Sequence, residues 1–197
     1  MVYEPQEDSY LLLAHIKKLA RGKVLDMGAG SGILAQGAAT NPAVEQVYAV
    51  DIDEQAVSEL IQSQNKPDKP SKPGEPIRSD RTGNIKVSCS DLFANVSEKF
   101  DTIIFNPPYL PSEEKDKNPA LDGGAKGYEL IKRFLEQAKK YLTPAGFILM
   151  VFSNRTGKKE VDKAITKQGF EFELLEKKQI AFFEELYVYK IKKGVRG

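Results

Sequence analysis

The segment KVLDMGAGSG, residues 23–32, decides the fold of this 197-residue chain, because it joins an apolar strand to a glycine-rich turn. A segment of helical period follows directly after Gly32. Further along, apolar runs keep alternating with helical segments, the order expected of a parallel sheet with helices on both faces. The early strands are continuously apolar, as suits central strands buried on both faces.

Seven strands and five helices are predicted from this alternation. The strands are 23–28, 46–51, 84–90, 100–105, 147–152, 171–177 and 186–191. The helices are 7–20, 33–40, 54–64, 127–141 and 158–168. The stretch QIAFFEE between the last two strands is too short for a helical crossover, which needs a dozen or more residues. We therefore predict an α/β fold, a doubly wound, mostly parallel seven-stranded sheet with a C-terminal antiparallel hairpin.

Composition favours one globular domain over residues 1–197, with 41% hydrophobic and 29% charged residues. The balance of 29 basic and 28 acidic residues argues against a broad surface for nucleic acid or anionic membrane. Cys89 is the single cysteine and His15 the single histidine of the chain, which excludes a disulfide scaffold and a structural zinc site. We expect His15 to be a solvated surface residue. The sequence has neither a run of about 20 apolar residues nor a signal-peptide pattern, which predicts a cytoplasmic protein.

Residues 66–84, KPDKPSKPGEPIRSDRTGN, interrupt the pattern with four prolines, many charges and almost no apolar side chain. Such a segment buries too little surface to offset the entropy lost on ordering. We interpret it as a mobile surface loop, with a functional lid as the alternative.

The turn Asp26-Met27-Gly28-Ala29-Gly30-Ser31-Gly32 is suited to ligand binding, since glycines let the backbone approach a ligand at a helix N-terminus. This signal alone is weak and is compatible with nucleotides, dinucleotides or nucleosides. A dinucleotide fingerprint would place a glycine at position 33, where this chain has isoleucine. The spacing therefore disfavours NAD.

Acidic residues close the next two predicted strands. Asp51 follows Asp26 by 25 positions, near the offset of about 20 at which an acid accepts ribose hydroxyls. Asp91 closes the third strand, where its carboxylate could accept from an adenine amine while Leu92 packs on the ring. The plainer alternative for each acid is helix capping or a turn.

The motif Asn106-Pro107-Pro108-Tyr109 directly follows the apolar strand 100–105. Prolines alone would mark only a loop, but a loop requires neither the asparagine nor the tyrosine. Asn106 offers a side-chain carbonyl and Pro107 a main-chain carbonyl, which together suit the two hydrogens of a planar NH₂ group. Tyr109 could cover that group and attract positive charge developing on nitrogen.

This combination resembles class I S-adenosylmethionine (SAM) methyltransferases that modify an amino group on an sp² carbon. Within that class, the chain is similar to HemK-type protein glutamine-N5 methyltransferases over nearly its whole length. The matching segments are YEPQEDS (3–9), VLDMGAGSG (24–32), VDID (50–53), SDLF (90–93), NPPYLP (106–111) and LDGGAKG (121–127). The bacterial type carries an extra helical domain ahead of its catalytic one. Because the first motif begins at Tyr3, we expect the short archaeal and eukaryotic branch.

The resemblance implies SAM as cofactor, no metal, and as substrate the GGQ glutamine of the class I translation termination (release) factor. The implied cofactor-binding residues are Ser9, Asp26, Gly28, Gly30, Asp51, Asp91 and Leu92, with Ser9 closing the N-terminal segment over the cofactor. The implied substrate-binding residues are Asn106, Pro107, Pro108 and Tyr109, of which Asn106, Pro107 and Tyr109 are catalytic. Short-branch members also work with a small zinc-binding activator protein that adds a strand to the sheet. Its expected docking region is 46–51 or 84–90.

Two other functions compete with this hypothesis. NPPY-type motifs also occur in adenine-N6 methyltransferases acting on DNA or RNA. Those enzymes extrude a base and commonly carry a recognition domain or basic groove, for which this chain has neither room nor charge. A single-stranded or structured RNA substrate stays open as an alternative. A non-catalytic subunit that binds SAM structurally is the other alternative, and the intact motif disfavours it.

Overall fold

The computed structural model describes residues 6–64, 85–108 and 127–194. Residues 66–84 lie outside the described residues, so their interpretation as a mobile loop stays a prediction. The strands are β1 Gly22–Met27, β2 Val44–Asp51, β3 Ile85–Cys89, β4 Phe100–Phe105, β5 Leu142–Ser153, β6 Phe170–Ala181 and β7 Glu184–Lys193. The helices are α1 Glu7–Leu19, α2 Ile33–Ala39, α3 Glu54–Gln64, α4 Glu129–Ala138 and α5 Lys158–Lys167.

The seven strands form one sheet in the order β3-β2-β1-β4-β5-β7-β6. Strands β1 to β5 run parallel to one another, whereas β7 lies between β5 and β6 and is antiparallel to both. The predicted doubly wound sheet with an antiparallel C-terminal hairpin is therefore confirmed. This order brings the carboxyl ends of β1 to β5 to one edge, the edge where open α/β sheets bind ligands.

Alternating side chains of the central strands fill two cores, one on each face of the sheet. On one face, Met27 and Phe105 pack with Phe134 of α4 in an apolar cluster that also includes residues of α5. On the other, Val24 and Ile104 belong to a cluster with residues of α1, α2 and α3. Burial on both faces explains why these strands are continuously apolar. In the part of the chain that the structure describes, no helix is long and apolar enough to cross a membrane.

The C-terminal hairpin is longer than the sequence predicts. Gln179 and Ala181 of the predicted connector pair with Glu185 and Glu184, so that β6 and β7 are joined only by the two residues 182 and 183. Strand β5 also begins earlier than predicted, because Leu142 pairs with Phe100 before a shift in register. In both places strand pairing overrides the local pattern.

Helix α1 packs on the sheet through Leu11, Leu12 and Ile16, but His15 is not solvated. Its Nε2 atom lies 2.7 Å from Oε2 of Glu176 in β6, and only 14% of its side chain is exposed. The prediction of a solvated residue is therefore wrong. The edge strand β6 covers a position that the helical pattern alone assigns to solvent.

Candidate active site

Four of the predicted site residues lie at the carboxyl edge of the sheet. Asp26 lies in β1 and Asp51 ends β2, while Asp91 and Asn106 follow β3 and β4 closely. These four strands are consecutive neighbours in the order β3-β2-β1-β4. The sheet therefore brings together residues that lie up to 80 positions apart in the sequence.

The glycine turn after β1 leaves its backbone open at two positions. Gly28 and Gly30 have φ values of 70° and 50°, a region that favours glycine. Within the described residues, a Cβ atom added at either position would meet no heavy atom within 4 Å beyond its chain neighbours. Gly32 differs, because a Cβ there would come within 2.3 Å of Leu60 Cδ1. Gly28 and Gly30 thus line open space, whereas the absence of a side chain at Gly32 lets Leu60 pack against the turn.

Asp26 is a buried carboxylate beside this turn, with 1% of its surface exposed. Neither of its oxygens has a hydrogen-bond partner among the described residues. Burial raises the pKa of Asp26 to about 7; the nearby main-chain N–H of Ala35 opposes this shift, and the negative charge of Asp51 adds to it. An unpaired carboxylate in this environment is costly, so the site is suited to a ligand that brings a positive charge.

Asp51 is held in a fixed orientation at the end of β2. Its Oδ2 atom accepts a hydrogen bond of 2.8 Å from the Gly30 main-chain N–H, and its Oδ1 atom accepts one of 2.9 Å from Asp53. A carboxylate has about four acceptor positions, so these two hydrogen bonds leave about two acceptor positions available for a ligand. The arrangement is suited to accept from a pair of vicinal hydroxyls.

Asp91 is engaged by a residue that the sequence analysis missed. Nη2 of Arg133 in α4 donates to both carboxylate oxygens of Asp91, at 2.9 and 3.2 Å. No local sequence signal identifies this partner, because α4 is predicted only from its apolar period. Asp91 retains acceptor capacity, but any adenine amine would share its carboxylate with the guanidinium group.

Leu92 adopts a positive φ of 48°, which is unusual for a bulky residue. Ser90 holds this turn, since its hydroxyl donates to the Leu92 carbonyl and accepts from the Asn95 main-chain N–H. The Leu92 side chain is buried in the core on the α4 face. The predicted packing on an adenine ring would therefore use only the small part of the side chain that remains exposed.

Asn106 is oriented by two buried side chains of α1. Its Nδ2 atom donates to Ser9 Oγ at 3.2 Å and to Asp8 Oδ2 at 3.4 Å. The opposite atom, Oδ1, is buried without a hydrogen-bond partner among the described residues. Because a carboxylate only accepts hydrogen bonds, Asp8 favours the orientation that leaves this carbonyl available.

The contacts of Asn106 with α1 bear on two residues of that helix, Ser9 and Asp8. Ser9 was predicted to close the N-terminal segment over the cofactor, and in the structure its hydroxyl contacts Asn106. Asp8 was not predicted as a site residue, although it lies in the segment YEPQEDS that carried part of the resemblance. That segment could have pointed to Asp8, whereas the contact itself depends on the tertiary fold.

The rest of the proline motif is only partly described. Pro107 is buried and Pro108 half-buried directly after Asn106. Tyr109 lies outside the described residues, as do residues 121–126 of the segment LDGGAKG. The roles predicted for Tyr109 and for the two prolines stay predictions.

These features fit SAM, the cofactor implied by the sequence. Its ammonium and sulfonium groups are positively charged and could pair with the carboxylate of Asp26. Its ribose hydroxyls could donate hydrogen bonds to the carboxylate of Asp51. The open backbone at Gly28 and Gly30 gives room for a ligand to approach. The buried acid without a hydrogen-bond partner among the described residues and the open turn are thus the two features of this chain that suit the cofactor.

Comparison with known proteins agrees with this geometry. Residues 4–180 match the family described as "Methyltransferase small domain". A protein of Methanocaldococcus jannaschii, named as a protein N5-glutamine methyltransferase, is 36% identical over 194 residues, covering 95% of this chain and 89% of that protein. Methyltransferase HEMK2 of Mus musculus is 28% identical over 181 residues, covering 86% of this chain and 80% of that protein.

Among solved structures, the complex of Mtq2 and Trm112 from E. cuniculi, responsible for methylating the translation termination factor eRF1, shares this fold. It matches with a TM-score of 0.73 and 23% identity, covering 98% of this chain and 99% of that chain. The predicted resemblance, the enzyme class and the SAM-using class I fold are confirmed by these findings. This chain belongs to the methyltransferase small domain family, as a relative of the protein N5-glutamine methyltransferases.

Proposed function

We propose that this chain methylates the side-chain amide nitrogen of a glutamine in a protein, using SAM. The substrate we propose is the GGQ glutamine of the class I translation termination factor, and the cytoplasm is the place of action. The observation that carries the proposal is the buried Asn106 carbonyl, held by Asp8 and Ser9 with its oxygen unpartnered among the described residues. The names of the relatives support the same substrate class.

The Asn106 carbonyl matters because an amide nitrogen is a poor nucleophile, with its lone pair delocalised into the neighbouring carbonyl. Bound SAM supplies an activated methyl group on a sulfonium. Asn106 Oδ1, together with the main-chain carbonyl of Pro107, accepts the two amide hydrogens and so fixes the nitrogen in place. The methyl–nitrogen bond would form as the methyl–sulfur bond breaks, and the cofactor would leave as the neutral thioether. These fixed acceptors would stabilise the positive charge that develops on the nitrogen until one amide hydrogen is lost to solvent as a proton. Asp8 and Ser9 contribute by keeping the Asn106 amide from rotating.

Asp26 has a separate role in this proposal, at the cofactor. Its carboxylate would hold the ammonium group of SAM, and Asp51 would hold the ribose hydroxyls. Asp91 would accept from the adenine amine beside Arg133. Binding and turnover thus depend on different residues, which allows the two functions to be tested separately.

We also propose a small activator protein that adds a strand at β3. The two predicted docking regions differ in the structure, since β2 lies between β1 and β3 whereas β3 ends the strand order. Residues 46–51 are therefore wrong as a sheet edge, and the strand within 84–90 is retained. The Mtq2 structure, solved as a complex with Trm112, supports a partner of this kind. That the activator binds zinc stays a prediction.

The experiment is methyl transfer from labelled SAM to separate pools of termination factor and RNA, with the activator present and mass spectrometry as readout. We expect one methyl group on the GGQ glutamine and none when this glutamine is replaced. Asn106→Ala should lower turnover by at least about 10²-fold, as for loss of a fixed electrostatic partner, and leave SAM affinity within a few-fold. Gln62→Ala, which removes an exposed amide on α3, is the matched control and should keep full activity. Methyl transfer to RNA alone, or an equal loss of SAM binding and turnover in Asn106→Ala, would contradict the proposal.

A further inference from the structure

Two phenylalanines form the tip of the β6–β7 hairpin. Phe182 and Phe183 are 84% and 82% exposed, and their rings meet edge to face with centroids 4.6 Å apart. Single exposed apolar residues are normal on a protein surface, whereas two adjacent exposed rings form a contiguous apolar patch of the kind found at interaction sites. The other exposed large apolar residues in the described part of the chain are at most 60% exposed: Tyr10, Ile52, Ile61 and Leu174.

The backbone of this tip is held by side-chain hydrogen bonds. Asn154 Nδ2 donates to the Phe183 carbonyl at 3.0 Å, and Asn154 Oδ1 accepts from the Glu185 main-chain N–H at 3.0 Å. Gln179 Nε2 donates to the carbonyls of Ala181 and Phe182, each at 3.3 Å. A tip ordered in advance loses little entropy on binding, so its aromatic surface is suited to docking.

The hairpin projects from the same edge of the sheet as Asn106. Because Ser153 at the end of β5 pairs with Leu186 of antiparallel β7, residues 182 and 183 extend beyond the carboxyl end of β5. At about 4.8 Å per strand, the tip lies roughly 10–15 Å from the β4 position along this edge. A small substrate at Asn106 would not span that distance, whereas a folded protein would. Strand β3 lies at the other end of the sheet, so an activator there leaves the hairpin uncovered.

The two acidic residues that follow the tip each lie beside a basic side chain. Glu185 Oε1 lies 2.8 Å from Lys177 Nζ, and Glu184 Oε2 lies 3.8 Å from Arg155 Nη1. These two acids interrupt the positive charge of Arg155, Lys177 and the exposed Lys178, so a polyanion such as RNA or an anionic membrane would find no uniform positive field there. An aromatic centre with a charge-balanced polar rim is instead the pattern of a protein–protein contact.

We propose that Phe182 and Phe183 form a docking surface for the folded protein substrate, binding an apolar pocket on it outside the segment that carries the methylated glutamine. This inference rests on the proposed function and adds to it a second point of contact. The enzyme would recognise its substrate by fold as well as by the local glutamine segment. A short peptide could be methylated, but it would lack the affinity that the hairpin supplies.

The test compares full-length termination factor with a short peptide spanning its GGQ segment, using the enzyme with its activator. For Phe182→Ala/Phe183→Ala we expect KM for the full-length substrate to rise about 10- to 100-fold, as for loss of aromatic contacts at the centre of an interface. The kcat at saturation, the KM for the peptide and SAM affinity should stay unchanged. Ile61→Ala, which trims an exposed apolar residue on α3, is the control and should match the wild type on both substrates.

A photo-crosslinking amino acid at position 182 gives a second measurement, expected to trap the full-length substrate. An unchanged KM for the full-length substrate, with an active wild type, would overturn the docking surface and leave the proposed function intact. The docking surface would also be overturned if the wild type self-associates and the double variant does not, since the two rings would then bind a second copy of this chain. Binding of anionic vesicles or RNA that depends on these two residues would overturn it as well. A wild type that methylates neither protein nor peptide would overturn the proposed function and this inference with it.

Discussion

The unpaired carboxylate of Asp26 predicts an unusual dependence of stability on pH. Its folded-state pKa of about 7 lies above the ordinary value of 3.8, because burial penalises the charged form. The folded protein therefore holds this proton more tightly than the unfolded chain does. The stability that Asp26 contributes is fully present below about pH 3.8 and is lost as the pH rises through about 7. Asp26→Asn, which keeps the shape and cannot ionise, should not show this loss.

The magnitude follows from the distance between the two pKa values. A difference of about three pH units, at 1.36 kcal/mol for each, corresponds to up to about 4 kcal/mol. The free energy of unfolding of Asp26→Asn minus that of the wild type should thus rise by up to this amount between pH 4 and pH 7. Above pH 7 the difference should level off.

Urea unfolding of both proteins from pH 4 to pH 8 would measure this difference, since the other titrating groups are shared and cancel. SAM adds a second readout, because its cationic group would pair with ionised Asp26. Wild-type affinity for SAM should fall up to tenfold for each pH unit below 7, while Asp26→Asn should bind weakly and without this dependence. A stability difference that stays flat from pH 4 to pH 8 would refute the assignment of an unpaired buried acid.

Two further substitutions test the contacts around the site. Asp8→Asn replaces an obligate acceptor by a group that can also donate to Asn106 Oδ1. We expect kcat to fall by about 10²-fold, with SAM affinity unchanged when measured by calorimetry. Loss of SAM binding would instead indicate a structural role for Asp8. Arg133→Ala removes the half-exposed ion pair with Asp91, a pair of a kind worth at most about 1 kcal/mol. SAM affinity should therefore change less than about fivefold, and a larger change would mean that Arg133 itself contacts the cofactor.

Local chemistry in the sequence was sufficient for the main architecture. Strand β4 has the predicted limits, because an apolar run ends where Asn106 and two prolines prevent further pairing. The limits of α3 also agree with its predicted range. Patterns of this kind depend on neighbouring residues, so they can be recognised without the rest of the chain. The convergence of Asp26, Asp51, Asp91 and Asn106 followed from the same logic, since parallel strands share one carboxyl edge.

Sequence alone therefore determined the fold class, the edge that carries the site and the chemical types of its residues. Only the tertiary structure decided which side chains contact one another there. The contact of Asn106 with Ser9 spans 97 positions, and that of Arg133 with Asp91 spans 42. The physical reason is that such pairs are set by how helices pack across the sheet, and no local periodicity encodes that. The same packing leaves the carboxylate of Asp26 and the carbonyl of Asn106 unpartnered among the described residues, available to a ligand and a substrate.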